Sequence, residues 1–256
     1  MMLRCDDLIS VNHIEKVNFQ KLKRQGFKAV SIDSRSISKD EIFFGIKGER
    51  TDGHKYINEI FKKGIDLAVV NQDWFEQNRN KYKNKILLVV KDTTLALGEF
   101  AKIHKNNFSI PVLCIGGSNG KTTTKDLTAA VLSQKYNLLK TEGNHNNHIG
   151  LPLTLLRLND KHDFCVLETG SNHFNEIKYL CGIAEPDFGL ITNIGKEHLE
   201  FFKNIKGVAK AEFELYDYLI KKTNGVLFLN LDDKFIKNYS EGINDEKKFS
   251  YSYQHN

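Results

Sequence analysis

Short apolar runs alternate along the chain with longer segments in which apolar residues recur at helical spacing. Strands are predicted at DLAVV (66–70), KILLVV (85–90), IPVLCIGG (110–117), DFCVLETG (163–170), FGLITNIG (188–195) and GVLFLNLDD (225–233). Most of these runs are apolar enough to be buried on both faces of a sheet. Helices are predicted over residues 93–108, 123–136 and 207–222. This alternation predicts an α/β fold in which helices cover a mostly parallel sheet.

The length of the chain, 256 residues, exceeds the commonest domain size and favours two domains. The helix predicted at 93–108 leads into the strand before a glycine-rich loop, and we place the domain junction there. We predict a small N-terminal α/β domain, including this connecting helix, over residues 1–107. We predict a P-loop-type domain over residues 108–256, with a mostly parallel sheet and helices on both faces.

Composition excludes several classes of protein. The formal charge is +5, but the lysines are scattered and accompanied by nearly as many acids, so we expect no nucleic-acid partner. The four cysteines show no C-x-x-C spacing, which is typical of reduced cysteines in a cytoplasmic protein. The N-terminal stretch MMLRCDDLIS lacks the apolar core of a signal sequence, and no run approaches the roughly 20 apolar residues of a membrane span. We therefore expect a soluble chain without membrane insertion.

The stretch CIGGSNGKTTTK (114–125) indicates a phosphate-binding loop between a strand and a helix. The usual loop reads G-x-x-x-x-G-K-[ST], and Ile115 stands where its first glycine would be, so this loop is a shorter form. Lys121 is expected to reach the terminal phosphates of a nucleotide, and the Thr122 hydroxyl to bind magnesium. The alternative is a glycine-rich turn without a ligand. The nucleotide-binding residues predicted here are Gly117, Ser118, Asn119, Gly120, Lys121, Thr122 and Thr123.

Polar residues after two other strands extend the candidate site. Glu168 ends the apolar run FCVL, at the strand end where open α/β sheets bind ligands, so it is a candidate magnesium ligand. A surface acid that merely ends a strand is the alternative. His198 follows a further strand, and on the residues alone it could equally be a structural histidine paired with a neighbouring glutamate. The amides of Asn146 and Asn147 suit a polar substrate, although asparagine is also an ordinary turn residue.

Four motifs occur in order: GGSNGKTTT (116–124), EGNHNNHIGLPLTLL (142–156), LETGSNHFNEI (167–177) and ITNIGKEHLEFF (191–202). Together they resemble the ATP-dependent Mur ligases, whose phosphate loop has this shorter form. The segment SIDSRSISKDEIFFGIKGERTDGHKYI (31–57) is similar to the N-terminal module with which that family holds the uridine-diphosphate end of its substrate. The resemblance therefore spans nearly the whole chain, and it is closest to members that act on the muramoyl tripeptide.

The resemblance implies an ATP-dependent amide ligase of peptidoglycan precursor synthesis. Such an enzyme joins D-alanyl-D-alanine to UDP-N-acetylmuramoyl-tripeptide through an acyl phosphate, with ATP and Mg²⁺ as cofactors. The resemblance also makes Ser34 and Arg35 candidates for the diphosphate or uracil contact, since an arginine side chain donates two parallel hydrogen bonds to phosphate oxygens. A solvent-facing turn with a structural salt bridge is the alternative for these two residues. The resemblance also favours substrate contact by Asn146 and Asn147, and it makes His198 a ligand of a second magnesium.

Two residues depart from the family's pattern. Asn175 stands where the family commonly has glycine, a mild change if the backbone there is left-handed. Glu212 stands where a family lysine becomes carbamylated and helps to hold the second magnesium, so we expect a permanent carboxylate and no need for bicarbonate. Alternatively, a register shift brings Lys210 inward, or Glu212 is a plain surface residue. With Glu212 included, the predicted catalytic residues are Lys121, Glu168, His198 and Glu212.

Two alternative functions stay open from the sequence. One is a ligase similar to folylpolyglutamate synthetase, against which the DSR block at 33–35 argues. The other is a nucleotide-binding remnant that forms no amide, since the family's C-terminal domain and the remaining central strands are expected to be absent after FSYSYQHN (249–256). We expect the chain to act as a cytoplasmic monomer.

Overall fold

The computed structural model describes residues 2–48, 51–197 and 199–253. The chain divides into two compact units, one formed by Met1–Phe108 with Leu155–Asn159 and the other by Ser109–Thr154 with Asp160–Asn256. Both units combine helices with a sheet, and the α/β prediction is confirmed. The functions assigned from sequence to residues 1–107 and 108–256 stay predictions.

The strands of the first unit are β1 Leu3–Arg4, β2 Glu15–Val17, β3 Gly26–Phe27, β4 Ala29–Ser31, β5 Glu41–Phe44, β6 Leu67–Asn71 and β7 Ile86–Val90. They form a five-stranded sheet in the order β2-β7-β6-β5-β4, in which β2 is antiparallel to β7 and the other neighbouring pairs are parallel, and a two-stranded β1-β3 ladder. The α-helices of this unit are α1 Cys5–Ile9, α2 Ile57–Lys62, α3 Gln72–Tyr82 and α4 Thr93–Lys105. Single 3₁₀ turns lie at Phe19–Lys21 and Gly53–Tyr56.

An aromatic cluster around Trp74 packs against the core of the first unit. Trp74, the chain's single tryptophan, lies on α3, with its ring 5.1 Å from the Tyr82 ring and 5.5 Å from the His54 imidazole. His54 is buried, and its two nitrogens contact Asp52 Oδ1 at 2.6 Å and the Asn71 N–H at 2.9 Å. Because Nε2 accepts from Asn71, Nδ1 carries the proton and donates to Asp52. The cluster thereby ties the turn before α2 to the end of β6.

The strands of the second unit are β8 Val112–Gly116, β9 Leu138–Lys140, β10 Phe164–Glu168, β11 Phe188–Ile191, β12 Val226–Asn230 and β13 Lys248–Tyr251. They form a six-stranded sheet in the order β13-β12-β11-β8-β10-β9, and every neighbouring pair in it is parallel. The α-helices of this unit are α5 Lys121–Leu132, α6 Gly150–Leu155, α7 Glu176–Ala184, α8 Leu199–Phe202, α9 Ile205–Glu212, α10 Glu214–Lys221 and α11 Lys234–Ser240. A 3₁₀ turn at Asp245–Lys247 precedes β13.

Helices lie on both faces of this sheet. Leu132 of α5 packs on the cluster that contains Leu113 and Ile115, whereas Leu215 and Leu219 of α10 lie against Gly189. Gly189 is in register with Cys114, which points to the opposite face from its neighbours in β8. The predicted mostly parallel sheet with helices on both faces is therefore confirmed.

The single helix predicted over residues 207–222 is two helices, α9 and α10, which meet at Phe213. The backbone of Phe213 keeps helical angles, with φ −67° and ψ −10°, so the apolar period continues through the junction. The Phe213 ring stacks on Tyr239 at a centroid distance of 4.1 Å. A sequence period cannot detect a junction of this kind, because the helical spacing is not interrupted.

Across the described part of the chain, none of the helices has the length and apolar character that a membrane span requires.

Candidate active site

The glycine-rich loop joins β8 to α5 at the carboxyl end of the central strand. Gly117 has φ +112° and Gly120 has φ +79°, both in the region that favours glycine. Gly120 is the N-cap of α5, and the helix begins at Lys121. The first N–H groups of a helix lack partners within the helix and form a positive end, so this turn presents donors to an anion.

A segment after β11 holds the loop from the other side. Thr192 Oγ1 donates to Asn119 O at 2.7 Å, and the Asn193 amide both donates to Asn119 O at 2.9 Å and accepts from Asn119 N at 3.2 Å. Ser118 Oγ accepts from Gly195 N at 2.8 Å. These bonds occupy Ser118 and Asn119, so the donors left for a ligand lie at the start of α5.

Gly117 should tolerate no side chain, because the loop runs very close to the segment after β11. A Cβ atom there would lie 2.2 Å from Thr192 Oγ1 and 2.8 Å from Thr192 N, whereas a Cβ at Gly120 would meet nothing within 4 Å. We expect Gly117→Ala to lower the free energy of unfolding by about 2 kcal/mol more than Gly120→Ala, since only the first adds a clash to the backbone strain. Urea unfolding of the two variants measures the difference, and equal losses would contradict this description of the loop.

Lys121 is the first residue of α5, and its side chain folds back over the glycine-rich loop. Its Nζ donates to the carbonyl oxygen of Gly117 and, at 3.3 Å, to that of Ser118. Glu197 Oε2 lies 3.7 Å from the same ammonium. The Lys121 ammonium is therefore held beside the loop by two uncharged carbonyl oxygens and by the partly exposed carboxylate of Glu197. Its side chain can leave these contacts and turn toward a phosphate.

Thr122 and Glu168 meet at the carboxyl ends of β8 and β10. Thr122 Oγ1 donates to Glu168 Oε2 at 2.9 Å, and Asn146 Nδ2 donates to Glu168 Oε1 at 2.9 Å. Glu168 is only 3 % exposed, so a surface acid at a strand end is excluded. A hydroxyl and a carboxylate are oxygen donors of the kind that magnesium prefers, and magnesium needs few protein ligands when phosphates and water supply the rest. The donor set therefore fits this ion.

Glu212 faces the loop from the end of α9. It is 2 % exposed, and its Oε2 accepts from Gly117 N at 2.5 Å. Burial raises the pKa of its carboxyl to about 7, although the nearby Lys121 ammonium lowers it. Lys210 is exposed, with its ammonium 5.5 Å from the Phe174 ring. The inward-turned Lys210 and the plain surface Glu212, two alternatives left open from the sequence, are therefore wrong.

Within residues 2–48, 51–197 and 199–253, no group of three or more His, Cys, Asp or Glu side chains is placed so that it could hold a metal ion. The hydrogen bond that the structure gives the Glu212 carboxylate is the one from Gly117 N in the loop backbone. Its role at a second magnesium stays a prediction. His198 lies outside the described residues.

A cleft of about 180 Å³ opens beside the loop. The Ser171 hydroxyl is buried in its wall and has no hydrogen-bond partner among the described residues. Asn147 contributes to the wall but also uses its Oδ1 to accept from Ile149 N and Gly150 N at the start of α6. The side chains that line the cleft include Lys121, Asn146, Asn147, Ser171, Glu176 and Glu197.

Two carboxylates position the cleft wall. Glu176 Oε2 accepts from Asn172 N at 2.6 Å, and Glu214 accepts from Asn175 N at 2.7 Å and from Lys178 N at 2.9 Å. Asn175 has φ +69°, so its backbone is left-handed, which is the condition under which this departure from the family is mild. Glu214 thus fixes the start of α7 from the same short segment that carries Glu212.

The N-terminal candidates lie in the turn after β4. Ser34 is buried, and its carbonyl oxygen accepts from Lys63 Nζ at 2.5 Å. The exposed Arg35 forms a two-pronged ion pair with Asp33, and its hydrogen bonds lower the pKa of that carboxyl to about 2. The salt bridge of the alternative interpretation is therefore present, and contact with a diphosphate or uracil stays a prediction.

Several residues of the site were missed by sequence reasoning. Thr192 and Asn193 lie inside a motif that the sequence singled out, but their role depends on a contact with Asn119, 73 residues before Thr192. Lys125 belongs to the loop motif itself, four residues after Lys121. The only signal for it was this helical spacing, which places both lysines on one side of α5.

The chain matches two family descriptions. Residues 115–256 match "Mur ligase middle domain", and residues 26–105 match "Mur ligase family, catalytic domain". The first match alone covers more than half of the chain.

Curated relatives include the UDP-N-acetylmuramoyl-tripeptide--D-alanyl-D-alanine ligases of Haemophilus influenzae, 39 % identical, and of Bacillus subtilis, 38 % identical. The alignments cover 84 % and 82 % of this chain but 46 % and 44 % of the relatives. The chain thus spans about half the length of the curated relatives it matches.

Solved structures are also similar. A crystal structure of MurF from Acinetobacter baumannii superposes with a TM-score of 0.86 at 30 % identity, over 98 % of this chain and 53 % of that one. A MurF ligase from Thermotoga maritima in complex with ADP gives 0.74 at 27 % identity, over 88 % and 49 % of the two chains.

Proposed function

The chain belongs to the Mur ligase family, and from that premise we propose that it provides the nucleotide-binding and UDP-substrate-binding units of an amide ligase. The reaction joins D-alanyl-D-alanine to UDP-N-acetylmuramoyl-tripeptide at the expense of ATP, in peptidoglycan precursor synthesis. The names of the curated relatives support these substrates, and the ADP in the Thermotoga maritima relative supports the nucleotide. We place the protein in the cytoplasm as a monomer.

The observation that carries the proposal is the meeting of Thr122 with Glu168 beside the phosphate loop. A hydroxyl at the start of a helix and a buried carboxylate 2.9 Å away form an oxygen-lined position next to the N–H donors of the loop. A nucleotide whose phosphates lie on those donors brings its oxygens to the same place. We assign Gly120, Lys121, Thr122 and Thr123 to phosphate binding, and Gly117, Ser118 and Asn119 to the shape of the loop.

Thr122 and Glu168 would hold the magnesium ion. When bound, the ion neutralises phosphate charge during transfer of the γ-phosphoryl group. Asn146 keeps Glu168 in place through its amide, so the carboxylate is oriented before any ligand arrives.

Lys121 supplies a positive charge that can move with the phosphoryl group during the reaction. Its ammonium leaves the loop carbonyls and follows the γ-phosphate as the substrate carboxylate attacks phosphorus. The new bond joins a carboxylate oxygen to phosphorus, the bond to the β–γ bridging oxygen breaks, and ADP leaves. The amine of D-alanyl-D-alanine then attacks the acyl carbon, loses a proton and expels phosphate. The cleft wall with Asn146, Asn147 and Ser171 is where we place the acyl group.

Arg35 tests the N-terminal part of the proposal. Its guanidinium is exposed, and the ion pair with Asp33 already restricts its side chain. The guanidinium can therefore donate two hydrogen bonds to a diphosphate with little further loss of side-chain entropy. We expect Arg35→Ala to weaken binding of UDP-N-acetylmuramoyl-tripeptide by about tenfold, measured by isothermal titration without ATP. The affinity for ATP should not change.

Arg79→Ala is the matched control for this experiment. Arg79 is an exposed arginine of the same unit that also pairs with acids, Glu15 and Glu76. Its removal should leave the UDP ligand bound as in the wild type. If both variants bind that ligand normally, the salt bridge of Arg35 is only structural.

The proposed function is tested on the chain itself. Titration with Mg·ATP should show saturable binding, and incubation with both substrates and Mg·ATP should yield the amide, detected by mass spectrometry. Binding without amide formation would favour the second candidate, a nucleotide-binding protein without ligase activity. Amide formation with a folate and glutamate instead would favour the folylpolyglutamate-synthetase-like ligase. No nucleotide binding at all would contradict all three.

A further inference from the structure

A second lysine of α5 lies beside the candidate metal position. Lys125 is 2 % exposed, and its Nζ lies 3.9 Å from Glu168 Oε2. That oxygen is the one that also accepts from the Thr122 hydroxyl at 2.9 Å. The Lys125 ammonium and the Thr122 hydroxyl therefore lie near the same oxygen of Glu168, and Thr122 and Glu168 are the two proposed magnesium ligands.

A buried ammonium needs opposite charge nearby, and the structure offers two carboxylates. Asp126 Oδ1 lies 3.6 Å from Lys125 Nζ, but Asp126 is half exposed and is also bound by Lys140 at 2.8 Å. Glu168 is almost fully buried, so it feels the charge of Lys125 with little screening by water. The pair of Lys125 and Glu168 is the one that affects the site.

We propose that Lys125 is a fixed counterion of Glu168 that makes divalent metal binding depend on the nucleotide. The inference rests on the proposed function, since it takes Thr122 and Glu168 as the metal position. A divalent ion that approaches alone meets a carboxylate whose charge is already offset, and it is repelled by the ammonium. The phosphates of ATP bring the negative charge that this position lacks, so metal and nucleotide bind together. Lys125 is a positioning residue and touches no reacting atom.

The test measures binding of Mn²⁺ alone, as a probe for the divalent site, by electron paramagnetic resonance. We expect Lys125→Met to bind Mn²⁺ without nucleotide about tenfold more tightly than the wild type, because a positive charge next to the carboxylate is removed. A gain in affinity is not the result of a merely damaged structure. In the double variant Lys125→Met with Glu168→Gln the gain should disappear, which places the ion at this carboxylate.

Lys140→Met is the matched control, since it removes a lysine of the same charge network that contacts Asp126 and not Glu168. Its Mn²⁺ affinity should equal that of the wild type, and so should that of Lys125→Arg, which keeps the charge. If Lys125→Met does not fold, Lys125→Gln takes its place.

Equal Mn²⁺ affinity of the wild type and a folded Lys125→Met or Lys125→Gln variant would overturn the inference, and so would the same gain in Lys140→Met. The proposed function is tested by a different measurement, the titration of the wild type with Mg·ATP. A wild type that does not bind Mg·ATP contradicts that function, whereas the comparison of metal affinities judges the role of Lys125 separately.

Discussion

Lys121→Ala should lower the affinity for ATP by at least about a hundredfold while leaving thermal unfolding in buffer nearly unchanged. The affinity falls because the ammonium is the cation that the loop can bring to the terminal phosphates, and contacts of this kind to charged groups are the strong ones. Stability is little affected because the contacts of the Lys121 ammonium among the described residues are with carbonyl oxygens of its own loop and, at 3.7 Å, with the partly exposed Glu197. Isothermal titration with Mg·ATP and a thermal scan measure the two quantities.

The exposed Lys206 on α9 provides the control for this variant. Lys206→Ala removes the same charge from the chain, so it corrects for any general electrostatic attraction of the nucleotide. It should bind ATP as the wild type does. An unaltered ATP affinity in Lys121→Ala would refute the assignment of the loop.

Glu212→Gln should make the protein more stable than the wild type at pH 8, by up to about 3 kcal/mol, and no more stable near pH 4.5. The cause is the burial of the carboxyl, which raises its pKa from an ordinary 4.5 to about 7 in the folded chain. Between those two values the folded state binds more protons at this group than the unfolded chain does. The free energy of unfolding therefore falls as the pH rises from 4.5 to 7, and the loss is complete above 7.

Glutamine does not titrate, and its side-chain oxygen can still accept from Gly117 N, so the variant should lack this slope. Urea unfolding at a series of pH values without metal or nucleotide gives the comparison. Glu241→Gln, which changes an exposed carboxyl in the same way, should follow the wild type throughout. A constant difference between Glu212→Gln and the wild type from pH 5 to pH 8 would contradict a buried titrating carboxyl at this position.

The main strands and the phosphate loop could be predicted because local patterns determine them. The run before Gly116 is uninterrupted and apolar, as a strand covered on both faces must be, and the glycines and lysine that follow have few other uses. The position of Glu168 at a strand end could be predicted for the same reason. The short β9 and β4 were not predicted, since three residues carry no period that distinguishes a strand.

The packing around the loop could not be predicted, because it depends on residues far apart in sequence. Nothing local indicates that Glu212 accepts from Gly117 N, or that Thr192 bonds to Asn119. The family resemblance located Glu212 but suggested a metal role, whereas the described contact is with backbone. Lys125 looks like one more lysine on a helix until the burial of Glu168 beside it is known.

The cluster around Trp74 gives the first unit an optical label of its own. The chain has a single tryptophan, so intrinsic indole emission reports solely on the surroundings of α3, whereas the phosphate loop and its sheet contain no indole. The indole ring lies close to a histidine and to a tyrosine, and loss of that packing changes the colour and intensity of its fluorescence. A melt followed by indole emission and the same melt followed by far-ultraviolet circular dichroism therefore compare one unit with the whole chain, without any engineered probe.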